Sequence, residues 1–442
     1  MKEHQFFVPF HRRMGPLTAM VVASLLTGCV TTATESDYTS LFDGQTLKGW
    51  RSVGAAANSY LVKDGAIVCT PAGRNLMTDR EFGDFILRFE FKLDDGSNNG
   101  IGIRAPLDGD AAYLGMEIQV LDEKAADAGK WGKLRPEQYH GSVYDVFAAK
   151  HGALKPNGEW NEEEIIAQGR KIKVTVNGQV ILDADLNQVT DLEKIRKHPG
   201  LFRARGHLGF LGHGDHVEFR NIRIKELTPI EKDNTAPAGF TALFDGRNLE
   251  GWKGLVGDPK KRAKMAPDEM AAAQKKADEL MRQNWQVADG TLVYRGKAYD
   301  NLCTTKDYAN FELVADWKTA PQADSGFYLR GSPQVQIWDP FTQPTKAGSE
   351  VGSGGLYNNQ KNAAKPLLVA DKPVGEWNRM RMFMVGDRMH VYLNDQLVVR
   401  DTVLENYWDR NAAVYASGQI ELQAHNSEVW FKNIYVRPIE AK

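Results

Sequence analysis

The residues best placed to do chemistry lie in one stretch, Gly115–Asp122, reading GMEIQVLD. Met116, Ile118 and Val120 alternate there with Glu117, Gln119 and Leu121, and a strand with a side-chain period of two puts Glu117 and Gln119 on one face. Burying a carboxylate or an amide without a partner costs on the order of 2–7 kcal/mol, so the pair is expected to face water or to line a polar cleft. A carboxylate in such a place can move a proton or hold a cation, whereas an amide can only orient hydroxyls. The pattern returns as Gln334, Val335, Gln336, Ile337, Trp338 and Asp339, with Gln334 standing for Glu117, Gln336 for Gln119 and Asp339 for Asp122. Two polar-faced copies of one strand point to a site.

The elements that must position these residues are themselves written twice. Leu41-Phe42-Asp43-Gly44 followed by Gly49-Trp50 returns as Leu243-Phe244-Asp245-Gly246 followed by Gly251-Trp252. Asp64-Gly65 answers to Asp289-Gly290, and Asn177-Gly178 to Asn394-Asp395, each a turn pair between alternating runs. Phe85–Lys92 matches Phe311–Lys318, Gly100–Arg104 matches Gly326–Arg330, and Gly158-Glu159-Trp160-Asn161 matches Gly375-Glu376-Trp377-Asn378. Gly206…His213 with Glu218–Ile222 matches Gly418…His425 with Val429–Ile434. The order never breaks, so the chain is a tandem duplication: a first copy over 38–227, a Pro-containing linker over 228–239 and a second copy over 240–442. Short alternating strands with frequent turn signals indicate an all-β fold, an antiparallel sandwich or jelly roll in each copy. Pro267–Arg282 interrupts the second copy with a helix by propensity and charge placement, read as a solvated surface helix, or as a lid or brace against the first domain. LFDG reads as a buried Asp-capped turn, and Trp160 and Trp377 as core.

A chain of 442 residues suits two cores, and its 55 Lys+Arg against 57 Asp+Glu leave no basic field for nucleic acid. The N-terminus reads as a targeting segment: Lys2 and His11-Arg12-Arg13, an apolar Met14–Leu26, then Leu26-Thr27-Gly28-Cys29, which resembles the lipoprotein box of bacteria. This implies a signal peptide over 1–29, a lipid on Cys29, a tether over 30–37, and a cell-envelope location, the outer membrane being favoured by Val30. Of the remaining cysteines, Cys69 and Cys303 fall at different positions of the two repeats and read as small apolar residues rather than a disulfide.

LFDG…GW, GMEIQVLD, GSVYDV, the GEWN turn and GFLGH…VEFRNIRI, with their second set PQVQIWD, GSGGLYNN, GEWN, LENYWDR and GQIELQAH…VWFKNIYV, resemble the 3-keto-disaccharide hydrolase family over nearly all of both copies. The resemblance implies a concanavalin A-like sandwich with a carbohydrate cleft on its concave face, and bacterial envelope proteins that degrade glycosides. On a 3-keto-glycoside the ketone acidifies the hydrogen on carbon 2, so a base can form an enolate that expels the aglycone from carbon 1, and water then adds. That path needs a base, a group holding the enolate oxygen and an acid.

Glu117 and His213 are the candidates for acid–base work, with Glu117 alternatively a metal ligand, and Arg104 for steadying the enolate. Gln119, Asp122, His140, Tyr144, Arg330, Gln334, Gln336, Tyr357 and His425 are the candidates for binding sugar. No cofactor is required; a divalent metal stays open, the GHGDH residues His213, Asp215 and His216 being its possible ligands, without a recognised spacing. Copy two, lacking Glu117 and His140, is expected either to bind sugar or to rely on His425. The rival function is a carbohydrate-binding lipoprotein without catalysis. The aglycone and the oligomeric state are not written in the sequence.

Overall fold

Strand Phe85–Leu93 shows how the chain builds its layers: Phe85, Leu87, Phe89, Phe91 and Leu93 are buried and the residues between them are not. Such alternation fits a sheet with one face on a core and one towards water. The strand sits centrally in an eight-stranded antiparallel sheet ordered Gln179–Asp185, Lys171–Val176, Trp160–Gln168, Phe85–Leu93, Val217–Glu226, Ala66–Cys69, Tyr60–Lys63, with Thr39–Ser40 also on Val217–Glu226. A five-stranded sheet packs over it, ordered Trp50–Val53, Asn75–Phe82, Gly206–Leu211, Asn98–Ala105, Met116–Leu121. The second half repeats both sheets in the same order, the smaller one running Trp252–Gly254, Leu302–Thr304, Ile420–Leu422, Asp324–Leu329, Gln334–Trp338. The all-β, twice-built sandwich expected from the sequence is the fold of this computed structural model, which describes Met1 and residues 37–54, 58–228, 232–342 and 348–440. Cys29 and the targeting segment lie outside the described residues.

The recurring motifs are accounted for by local physics. The Trp50 indole donates to the Leu41 carbonyl and the Trp252 indole to that of Leu243, which couples LFDG to GW. Asp43 accepts from the amides of Gln45 and Thr46, and Asp245 from those of Arg247 and Asn248; these capped turns are exposed rather than buried. At the hairpins, Asp64, Asn177, Asp289, Asn394 and Asp395 adopt positive φ, the conformation that two-residue turns matched to strand twist demand. Trp160 and Trp377 are not core: Trp160 lies half-buried beneath Lys92 and Arg220, and Trp377 beneath Lys318 and Lys432. Cys69 and Cys303 are buried and unbridged.

The inserted helix runs Pro267–Asn284 and buries Met281. It leans on its own domain, not on the first. A Cβ at Gly254 would lie 2.2 Å from the Ala277 carbonyl oxygen, the Gly254 amide donates to Asp278, and Gln274 donates to the Gly254 carbonyl. The insertion therefore closes the Trp252–Gly254 edge of the smaller sheet.

Residues 38–442 form one compact unit. Phe383, Val385, Tyr392 and Ile439 of the second sandwich join the hydrophobic cluster of the first. The Phe202 and Phe383 rings stack with centroids 3.6 Å apart, and the Tyr392 hydroxyl donates to the Pro199 carbonyl at 2.5 Å. Burial alone would raise the nearby Glu312 carboxyl, but Arg170, Arg381 and Arg437 hold it at about 2. Truncating a buried phenylalanine costs roughly 3–5 kcal/mol. Phe202→Ala is accordingly expected to lower the unfolding free energy of the whole chain by an amount in that range, read as a lower denaturant midpoint. An unchanged midpoint would show that the two sandwiches do not support each other.

Candidate functional site: the outer faces of the two smaller sheets

In strand Met116–Leu121, Met116, Ile118 and Val120 belong to the sandwich core, so Glu117 and Gln119 occupy the opposite, outer face. The register builds a row across that face. Met77 pairs with Gly209, Gly209 with Gly102, and Gly102 with Glu117. The chain then folds back so that Ile118 bridges Val143 and the Tyr144 amide donates to the Glu117 carbonyl, which makes Tyr144 the next member of the row. Glycine at position 100 is required here. A Cβ on Gly100 would stand 2.0 Å from Glu117 Oε1, so the carboxylate can lie across the sheet only because that side chain is missing.

Across Gly100 the carboxylate meets His213, on the loop after strand Gly206–Leu211, with Nε2 4.0 Å from Oε1. Glu117 is 5% exposed and its Oε1 has no hydrogen-bond partner, while the His213 side chain is 51% exposed. Burial pushes the Glu117 carboxyl up, and the neighbouring Glu117 carboxylate pushes the His213 imidazole up. The pair therefore tends to keep a proton, with the imidazole as the member open to solvent. Ser97 donates to the His216 carbonyl and the Asn98 amide to Asp215, holding the His213 loop against the sheet.

The structure thus brings Glu117, Gln119, Tyr144 and His213 to one face. It places four other expected residues elsewhere. Arg104 is 1% exposed, with φ of 49°, and donates to the carbonyls of Gly83 and Gly169 and to Asp84; it ties loops at the far end of its strand and cannot steady an enolate beside His213. Arg330 repeats that arrangement, donating to the carbonyls of Ala416 and Gly386. Asp122 caps helix Glu123–Asp127 through the amides of Lys124 and Ala125 and also accepts from the Gly96 amide and Asn157, leaving no oxygen for sugar. Asp339 fills the same role for Phe341, Thr342 and Gln322.

His140 lies inside the sandwich, stacked on Phe91, with Nδ1 accepting from the Leu121 amide. Its counterpart in copy two is Ser353, whose hydroxyl accepts from the Trp338 amide, so the position serves the backbone. Burial lowers His140 to about 3 and raises Glu163, 3.7 Å away, to about 8. Nor do His213, Asp215 and His216 converge. His216 turns to Asp94, and among the described residues no group of three or more His, Cys, Asp or Glu could hold a metal ion.

The second sheet carries the same rows with different chemistry. Cys303 pairs with Glu421, Glu421 with Tyr328, and Tyr328 with Gln334, so Glu421 and Tyr328 stand where the first copy has Gly209 and Gly102. Tyr357 continues the row through the Val335–Leu356 bridge. Gln334 donates to Gln336 and Gln423, each at 2.8 Å, and Gln336 donates to Asp324 at 2.8 Å. His425 Nδ1 lies 3.6 Å from Asp324. Tyr299 stands edge-on to His425 and Trp338 edge-on to Tyr357, and Tyr299 and Tyr357 are exposed. Glu421, Asp324, Tyr328 and Gln423 were not singled out from sequence, although the repeat register sets Glu421 against Gly209 and Asp324 against Asn98.

Each sandwich thus turns a row of buried polar residues, with a histidine beside it, outward from its smaller sheet. The profile of the 3-keto-α-glucoside-1,2-lyase-like domain matches residues 37–225 and again 239–437; the chain belongs to that family. A relative from Bacteroides thetaiotaomicron named 3-keto-disaccharide hydrolase is 32% identical over 228 residues, covering 43% of this chain and 78% of its own length. Two solved structures from Parabacteroides distasonis, both described provisionally as glycosyl hydrolases, are also similar. One is 26% identical with a TM-score of 0.39, covering 43% of this chain and 99% of its own, and the other 23% identical with a TM-score of 0.37, covering 45% and 99%. The family and the relative support a glycoside-cleaving function acting on carbohydrate.

Two titrations follow from this geometry. Because the Glu117 carboxylate favours protonated His213, Glu117→Gln is expected to move the His213 pKa down towards the ordinary imidazole value of 6.5, read by NMR of histidine-labelled protein; an unmoved resonance would mean the pair does not interact. The Glu163 carboxyl, raised above its unfolded value, contributes stability at low pH that is lost as pH climbs towards about 8. Glu163→Met, the residue found at the equivalent Met380, should flatten that decline in denaturation measured across pH, whereas an equally steep decline in the variant would assign it elsewhere.

Proposed function

We propose that the chain cleaves 3-keto-glycosides by elimination and hydration, with the Glu117–His213 pair moving the proton on carbon 2. The reading is carried by one observation, a half-exposed imidazole backed at 4.0 Å by a buried carboxylate on the outer sheet face. The imidazole is the member that reaches substrate; Glu117 sits behind it and stabilises the imidazolium that forms. The electron pair left on carbon 2 is delocalised onto the ketone oxygen, then forms the double bond to carbon 1 as the bond to the aglycone oxygen breaks. Tyr144 accepts a hydrogen bond from Gln138, which frees its own hydroxyl proton to donate to an oxygen of the sugar. Water then adds its hydroxide to carbon 1 and gives its other proton to the departed aglycone oxygen, while the imidazolium returns the proton it took to carbon 2. Lipid anchoring through Cys29 in the cell envelope belongs to the same proposal.

In D2O, the full chain is expected to turn over 3-keto-glucosides but not the unoxidised glucosides, and to deliver 3-keto-glucose deuterated at carbon 2 faster than the enzyme-free sugar exchanges. Cleavage without deuterium at carbon 2 would replace elimination by direct displacement. Binding without cleavage would make the protein a sugar-binding module.

A further inference from the structure

The second copy does not simply lack the first copy's carboxylate. Its sheet face carries two others, at positions where the first copy has none. Asp324 stands at the position of Asn98 and lies 3.6 Å from His425, so a carboxylate–imidazole pair is rebuilt from a different strand. Gln336 donates to the other oxygen of Asp324 at 2.8 Å, which fixes the carboxylate. Glu421, at the position of Gly209, is 3% exposed, and its Oε1 has no hydrogen-bond partner. Among the described residues the cation facing it is Arg262, 4.0 Å away, supplied by the short helix Pro259–Arg262 ahead of the inserted helix and itself held by the carbonyls of Val256 and Gly257. Burial dominates over that cation and raises the Glu421 carboxyl to about 8, so near neutrality it carries its proton.

Between these groups lies a floor of amides, Gln334, Gln336 and Gln423, bonded to one another. Glu421 and His425 are four residues apart along one strand and its following loop, roughly 13 Å between Cα atoms at strand rise. Tyr299, Trp338 and Tyr357 stand around the same face, offering the stacking surfaces a neutral sugar uses.

We propose that the outer face of the second smaller sheet is a second proton-transfer centre for 3-keto-glycosides, in which Asp324 takes the place of Glu117 as partner of the histidine and Glu421 is the acid. The inference rests on the elimination reading given above. His425 takes the proton from carbon 2, the double bond to carbon 1 forms as the aglycone oxygen leaves, and that oxygen receives the proton of Glu421. The incoming water then returns a proton to Glu421 and its hydroxide to carbon 1, while the imidazolium gives its proton back to carbon 2. Because Tyr328 and Glu421 stand where the first copy has glycines covered by the apolar side chains of Met77 and Leu211, the second centre has a more polar floor and accepts a different range of aglycones.

The test uses the full chain and a panel of 3-keto-glucosides differing in aglycone. His213→Ala is expected to keep at least a tenth of the wild-type turnover on some members of the panel, and His213→Ala with His425→Ala, or with Asp324→Asn, to lose a further ~10²–10⁴-fold. In the His213→Ala background the remaining activity should fall above pH about 8, where Glu421 loses its proton, and Glu421→Gln should both lower that activity and abolish this alkaline limb. Circular dichroism and the unfolding midpoint of each variant separate loss of chemistry from loss of fold. A wild-type chain inactive on every 3-keto-glucoside refutes the elimination reading itself. An active wild type whose turnover vanishes with His213→Ala alone refutes the second centre, and an unchanged pH profile in Glu421→Gln removes Glu421 from it.

Discussion

The site in each half depends on an atom that is missing. Gly100 and Gly326 carry no side chain, so the long polar residue of the neighbouring strand, Glu117 or Gln334, lies flat along the sheet instead of standing off it. In the first copy this brings a carboxylate under an exposed imidazole. It also buries that carboxylate, which is 5% exposed, and burial is what raises its proton affinity. Strand register fixes the rest: a shift of one residue would send Glu117 into the core and Ile118 onto the face.

The two copies solve the same placement with different residues. Copy one sets glycines at 100, 102 and 209, over which the side chains of Glu117, Leu211 and Met77 lie, beside one carboxylate–imidazole pair. Copy two places Tyr328 and Glu421 at the positions of Gly102 and Gly209 and links its glutamines into a layer. The contact through Phe202, Phe383 and Tyr392 joins the sandwiches elsewhere, beside a cavity of about 590 Å³ lined by Arg104, Arg170, Arg203 and Arg381. That cavity is cationic, unlike the sheet faces with their carboxylate–imidazole pairs.

Duplication and alternation made the fold readable in the sequence. Both periodicities come straight from packing, and six motifs recur in order because six local structures recur. The pairing of Glu117 with His213 was legible for the same reason, since both follow from strand alternation and from the position where a strand ends. Recurrence misled at Arg104, Arg330 and Asp122, because a residue repeated in both copies can be kept for folding as readily as for chemistry. Arg104 and Arg330 bind the equivalent carbonyls of Gly169 and Gly386, and Asp122 and Asp339 cap equivalent turns. His140 misled the opposite way: its absence from copy two looked functional, yet Ser353 accepts the same backbone bond. Glu421 and Asp324 went unseen because they do not recur, and only the cross-strand rows show that they share a face with Gln334 and His425.

The most direct measurement is a crystal structure of the full chain with a non-cleavable 3-keto-glucoside analogue bound. The account predicts the sugar lying on the outer face of the first smaller sheet, beside Glu117 and Tyr144, with carbon 2 against His213 Nδ1 and with His213 Nε2 turned to Glu117. A sugar seated instead in the arginine-lined cavity between the sandwiches, with His213 untouched, would contradict it.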